Sequence, residues 1–286
     1  MTFKRKHLAK FWLLLAMIPV LFFIYAPLVW LLTSSISTRA DLLAVPPRLF
    51  PANPTLKNYT DILLPGTGVS EVARTFKATL ANSLLVSLST TLICLVIASL
   101  AAYALARLRL RYKDKLIVGI LSVRMIPEIS LVIPLFIMAA RLHWLDKPVV
   151  LIVTYLSFSL PFAIWMLTTF FETIPVELED AALIDGSSRL NTLFRIILPL
   201  ASPGIVSTAL FIFLLAWDEF FFALIFTSTV AAKTVPVAIA EFTGRYAVDI
   251  TAMMAGGVLA ALPPVILALI FQRYIVSGLS AGAVKG

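Results

Sequence analysis

The chain has 286 residues, 60% apolar and 13% charged, with a mean hydropathy of +1.00, which excludes an ordinary soluble domain and points to a polytopic membrane protein. Its formal charge of +8 fits basic segments facing anionic lipid and the cytoplasm better than a nucleic-acid surface. A single cysteine, Cys94, excludes a disulfide framework, and His7 and His143 have no neighbours at ligand spacing, so a metal site finds no support.

A bilayer core takes about 20 apolar residues per helix. Six stretches reach that length: 11–32, 79–105, 116–140, 149–171, 201–226 and 253–275. The first follows the basic segment "KRKHLAK" but is too long for a signal-peptide core and ends without a small-x-small cleavage site, so it reads as a retained span. Segment 33–76, with Pro46, Pro47, Pro51 and Pro54, predicts an irregular, semi-rigid excursion. The 106–115 loop carries Arg107, Arg109, Arg111, Lys113 and Lys115, and reads as a topology determinant with polybasic lipid contact as a secondary role. Pro127, Pro134 and Pro161 predict kinked helices of the kind that line cavities.

Basic residues orient the spans. Lys4, Arg5, Lys6 and Lys10 precede the first, whereas the connections after the third and fifth hold only Arg141 and Lys147, and Lys233 and Arg245. The positive-inside rule then places both termini, the 106–115 loop and the 172–200 loop in the cytoplasm, and 33–76 outside. The expected organisation is one transmembrane domain, 1–286, with core spans in 79–275, an N-terminal span at 11–32 and a cytoplasmic tail at 276–286.

Between the fourth and fifth spans lies "IPVELEDAALIDGSSRLNTLFRIILPL", residues 174–200. Pro175 can open a helix at its first position, Glu177, Glu179 and Asp180 suit the positive end of its dipole, and Gly186 suits a left-handed cap. Leu178, Ala181, Ala182 and Asp185 share one face by spacing, and the two alanines allow close approach of another backbone. A helix lying on lipid usually carries Lys and Arg on its polar face; this one is acidic, which favours docking to a protein.

In the fifth span, Asp218 and Glu219 form an acidic pair that costs on the order of a few kcal/mol per residue unless paired or hydrated. One reading places them on a water-accessible path, bonding solute hydroxyls. The other pairs them with Arg124 of the third span, which Glu128 could equally neutralise at i,i+4. Trp217 and the phenylalanines of 211–226 are tempting stacking surfaces for sugars, yet most must pack or face lipid.

No G-x-x-x-x-G-K-[ST] phosphate loop, H-E-x-x-H or G-x-S-x-G occurs, so neither ATP hydrolysis by a P-loop nor a common hydrolase site is supported. The acidic segment resembles the "EAA" signature of permease subunits in ATP-binding-cassette importers: E-A-A, three residues, G, nine residues, I-x-L-P. Here it runs "DAALIDG" at 180–186, then Ile196, Leu198 and Pro199, with Asp180 in place of the usual Glu and Glu179 beside it. "NPTLKNYTDIL" at 53–63, "AWDEFFFALIFT" at 216–227 and "QRYIVSGLSAGAVKG" at 272–286 are similar to the maltose-type, MalG-like carbohydrate permeases, where Asn usually stands in place of Asp218.

The resemblance implies an all-α membrane protein of six spans, a type I importer permease fold with a cytoplasmic coupling helix. It implies a second permease subunit, two cytoplasmic ATPase subunits that hold ATP and Mg, a periplasmic or lipid-anchored solute-binding protein, and a bacterial inner-membrane location. Coupling would fall on Glu179, Asp180, Ala181, Ala182, Asp185, Gly186, Ile196, Leu198 and Pro199, and tail contact with the ATPase pair on Gly282, Val284 and Lys285. The solute path would involve Asp218, Glu219, Trp217 and Glu128. The chain itself would carry no catalytic residue, metal or cofactor and bind no nucleic acid; its solute would be a mono- or oligosaccharide or a polyol. The competing expectation is a proton-coupled secondary transporter using the intramembrane carboxylates, for which the acidic helix and the tail would have no purpose.

Overall fold

The computed structural model describes residues 2–46, 48–66, 69–243 and 249–283. In chain order its helices are α1 (Thr2–Ser35), α2 (Arg39–Leu42), α3 (Lys57–Leu63), α4 (Glu71–Arg107), α5 (Lys113–Ser122), α6 (Glu128–Arg141) and α7 (Pro148–Glu172). They continue with α8 (Val176–Ile184), α9 (Arg189–Thr192), α10 (Leu198–Leu200), α11 (Ser202–Trp217), α12 (Phe221–Phe226), α13 (Val235–Glu241) and α14 (Ile250–Ala283). These pack as two compact units, Met1–Lys77 with Ile239–Leu262, and Ala78–Ala238 with Pro263–Gly286.

In the first unit the expected excursion is more ordered than its prolines imply. Thr38 and Asp41 form a capping box on α2, and Asn58 Nδ2 donates to the carbonyls of Ser35 at 2.8 Å and Ser37 at 2.9 Å. α4 begins at Glu71, one helical turn and more before the apolar run. Phe76 and Phe242 pack at 5.8 Å between centroids, and a Cβ on Gly256 would stand 3.2 Å from both rings, so Gly256 permits this contact.

The second unit is built around α4, α7 and α11. Cys94, Ala98 and Ala102 repeat every four residues along α4 and are fully buried. Such a small-residue stripe lets helices approach where no water drives apolar surfaces together. Against it pack Ala163, Leu167 and Phe171 of α7 and Ile212 of α11. A second cluster joins Val86, Leu151, Tyr155, Phe222 and Phe226. Gly204 of α11 lies directly on the Phe170 ring, which a Cβ there would meet at 2.3 Å.

Among the described residues, four helices are long and apolar enough to span a membrane: Trp12–Ser35, Glu71–Arg107, Pro148–Glu172 and Ile250–Tyr274. Two bent pairs bring the number to six, Lys113–Met125 with Glu128–Arg141 at 87° and Arg189–Leu200 with Ser202–Trp217 at 82°. The expected third span, 116–140, is thus interrupted. Pro127 holds Ile126 in an extended conformation (ψ 122°), as a residue before proline prefers, and the helix cannot run through. Pro134 and Pro161 stay inside continuous helices. The expected continuous fifth span, 201–226, also stops, at Trp217, and restarts at Phe221.

Candidate functional site

The acidic segment folds as α8 with the expected ends. Pro175 is the N-cap (φ −55°, ψ 131°), one position ahead of the expected first helical residue, and Glu177 and Glu179 sit in the first turn. Gly186 has φ +84°; its N–H donates to the Leu183 carbonyl at 3.1 Å and that of Ser187 to Ala182 at 2.9 Å. These two bonds make a Schellman cap, for which a left-handed glycine is favoured.

The helix faces differ from the spacing-based expectation. Ala182 turns inward with Glu179, whereas Leu178, Ala181 and Asp185 are exposed, together with Glu177, Asp180 and Ile184. The exposed face therefore mixes carboxylates with an apolar residue, Ile184, that is 85% exposed.

Glu179 is 3% exposed and meets two residues that lie one turn apart at the end of α4. The Tyr103 hydroxyl donates to Glu179 Oε1. Arg107 Nε lies 3.0 Å from Oε2, an ion pair whose N–H is not aimed as a hydrogen bond, and its NH2 group donates to the Ile174 carbonyl at 2.8 Å. A carboxylate withdrawn from water is tolerable only with such compensation. Arg107, read from sequence as part of the basic 106–115 loop, is the last residue of α4, with its side chain only 8% exposed. Lys113 of that stretch pairs with Glu172 at the end of α7. The pattern Tyr-x-x-x-Arg closing an apolar span was the available signal for this socket.

Beyond Gly186, Ser188 caps α9, and Ser187 Oγ receives bonds from Asn191 Nδ2 at 2.7 Å and Thr192 Oγ1 at 3.2 Å. Pro199 has no N–H for the Arg195 carbonyl, and the preceding turn, Leu193–Ile197, widens so that Leu198 N–H reaches Leu193. Of the residues expected here, Ile196 and Leu198 are half-buried and Pro199 is exposed, while Leu193 and Ile197 supply the buried contact.

The carboxylates of the fifth span part company. Asp218 is exposed at the end of α11. Glu219 turns back as a cap on α12, accepting from Phe222 N–H at 2.8 Å and Ala223 N–H at 3.2 Å, and from the Tyr155 hydroxyl at 2.6 Å. Trp217 is 3% exposed and stacks on Phe213 at 5.6 Å. Arg124 makes no ion pair among the described residues; its guanidinium lies 5.8 Å from the Phe162 ring centre, so the expected pairing with Asp218 or Glu219 is not formed. Arg124, Glu128 and Glu219 instead line one cavity of about 90 Å³ with Tyr155 and Ser159. Among the described residues no three His, Cys, Asp or Glu side chains cluster as metal ligands. Of the expected tail contacts, Gly282 falls within α14, and Val284 and Lys285 lie outside the described residues.

Residues 95–281 match the family described as binding-protein-dependent transport system inner membrane component. The chain is 40% identical over 261 residues, 91% of each protein, to the trehalose/maltose transport system permease protein MalG of Thermococcus litoralis. It is also 40% identical over 260 residues, 91% of this chain and 88% of the other, to the sulfoquinovosyl glycerol transport system permease protein SmoH of Agrobacterium fabrum. In structure it matches a chain of a bacterial ABC transporter involved in the import of the acidic polysaccharide alginate, with a TM-score of 0.78 over 96% of this chain and 98% of that one. The two are 20% identical, and the likeness is one of fold.

Proposed function

The chain belongs to the family of binding-protein-dependent transport system inner membrane components, and from that membership we propose that it carries a sugar or sugar glycoside inward, driven by a separate ATPase. Its architecture is all-helical and multi-pass, with a type I ABC importer permease fold. The relatives' solutes, trehalose, maltose and sulfoquinovosyl glycerol, are polyhydroxylated, which supports this solute class. ATP and magnesium sit on two cytoplasmic ATPase subunits, a second permease completes the path, and a binding protein delivers solute from outside. Both termini and α8 face the cytoplasm in this reading, which the basic residues of the N-terminus and the 106–115 loop support.

One observation carries the coupling role: α8 is fixed to α4 through the buried Glu179 and leaves Asp180, Ala181, Ile184 and Asp185 uncovered. Closure of the ATPase pair against this face moves α8, and the Glu179–Arg107 contact passes the displacement to a membrane span. Populations of inward- and outward-facing states shift accordingly. Asp180 makes the polar contact with the ATPase; Glu179 positions the helix.

Cys94 is fully buried, so an Ile184→Cys thiol is the sole exposed one. In the complete transporter, a reagent that alkylates this thiol at one end and inserts photochemically into a neighbouring chain at the other is expected to join that position to the ATPase and abolish uptake. Absence of cross-linking in every nucleotide state, or solute uptake by this chain alone under a pH gradient, overturns the assignment.

A further inference from the structure

We infer that the cavity between α6, α7, α11 and α12 is a hydroxyl-binding subsite for the passing solute, an assignment that rests on the importer reading above. Ser159 is 3% exposed, lines the cavity, and its hydroxyl has no hydrogen-bond partner among the described residues. The hydroxyl borders a space that another molecule can enter. Tyr155 stands one turn before Ser159 on the same face of α7, its hydroxyl committed to Glu219. Tyr155 can still accept a bond, and Glu219 holds its ring orientation.

The remaining wall suits a sugar. Phe158, half-buried, stacks on the buried Phe222 at 5.2 Å with 25° between planes, and its outer edge gives this wall an apolar character. Arg124 and Glu128 stand at the exposed side, each without an ion pair among the described residues. They supply donors and an acceptor for further hydroxyls. A water needs roughly 10–15 Å³ of such space, so the cavity, at about 90 Å³, accepts the hydroxyl-bearing edge of a sugar rather than a whole disaccharide. Glu219, with its carboxylate spent on two backbone N–H groups and Tyr155, is a positioning residue; Ser159 and Arg124 are the groups that meet solute.

The test uses the complete transporter in proteoliposomes, with Ser159→Cys on a Cys94→Ala background. A negatively charged methanethiosulfonate should modify Ser159→Cys in the resting or vanadate-trapped state. Uptake of labelled trehalose should then fall at least ten-fold, with binding-protein-stimulated ATP hydrolysis within two-fold of the unmodified transporter. A thiol that stays unmodified in both states overturns the subsite, as does modification that leaves uptake unchanged. Loss of the ATPase stimulation on modification also overturns it, because the cavity would then serve coupling. Failure of the unmodified transporter to take up trehalose counts against the sugar reading, and labelling alone then decides the subsite. Arg124→Gln should raise the KM for trehalose several-fold; an unchanged KM opposes the proposal.

Discussion

Glu179 and Arg107 oppose each other at 3.0 Å with side chains only 4% and 8% exposed, and they join the acidic helix to the end of α4. Removing one partner of a buried pair leaves the other charged and uncompensated, at about 3–5 kcal/mol. Glu179→Gln should therefore destabilise by that amount, whereas Asp180→Asn on the exposed side should stay within about 0.5 kcal/mol. Glu179→Leu with Arg107→Met should recover most of the loss. Unfolding in detergent, followed by helical circular dichroism, distinguishes these; equal effects at 179 and 180 would refute the buried tie.

Gly186 lies at φ +84°, and a Cβ there would meet nothing within 4 Å. Substitution is thus penalised by backbone conformation and not by collision. Gly186→Ala should cost about 1–2 kcal/mol, and Gly186→Asn distinctly less, since asparagine visits the left-handed region. Gly186→Val should cost more than either. The order Asn, Ala, Val in rising cost is the measurable outcome; a cost that tracks side-chain volume alone would contradict it. Stimulated ATP hydrolysis in the same variants should separate from uptake in the same order.

Caps are written locally, and so α8 was legible in the sequence: Pro175 and Gly186 lie within a few residues of the bonds they govern. Glu179's partners were not, because Tyr103 and Arg107 precede it by more than seventy residues and only the fold joins them. Arg107 was misread for the same reason, since its charge fits a loop and its burial depends on a carboxylate elsewhere. The fifth span misled in another way. Apolar content continues across Asp218 and Glu219, and hydropathy does not register that Glu219 caps a new helix. The 87° break before Pro127 was partly legible, as proline forecasts a bend but not its size. Ser159 follows Thr154, Tyr155 and Ser157 in an apolar helix, and no residue pattern singles it out.

Gly204 and Phe170 set the approach of α11 to α7. A Cβ at 204 would stand 2.3 Å from Phe170 Cγ, an atom at the root of the ring that cannot swing clear by a small rotation. Gly204→Ala should destabilise by about 1–3 kcal/mol, the usual cost of overpacking. Phe170→Ala opens a gap there and has its own cost. Combined, the two should cost clearly less than the sum of the single changes, because each relieves the other. Simple additivity in a thermal-unfolding cycle would show that the helices are not held at this contact.

Asp146 links the end of the α6–α7 connection to the segment after α12. Its carboxylate accepts from Ser228 N–H and Thr229 N–H, each at 2.9 Å, and from the Thr229 hydroxyl at 2.6 Å, while its own N–H donates to the Phe226 carbonyl at 2.9 Å. Partial burial pushes the carboxyl pKa up, but the Thr229 hydroxyl, the two N–H groups and the charge of Lys233 outweigh it and hold the group below its ordinary value of 3.8. A depressed acid contributes stability that is complete above the ordinary pKa and is lost as pH falls through the folded value. The clamp should therefore be intact at neutral pH and loosen only in acid below 3.8. Asp146→Asn tolerates the residue's φ of +58° while replacing the charged acceptor by a weaker neutral one. Hydrogen exchange at Ser228 and Thr229, corrected for intrinsic rates, should be faster in Asp146→Asn than in the parent at pH 6. The difference should vanish once the parent's carboxyl is protonated, because both chains then present a neutral acceptor. A difference that persists undiminished into strong acid would mean that the loops are joined by packing, with the carboxylate a bystander.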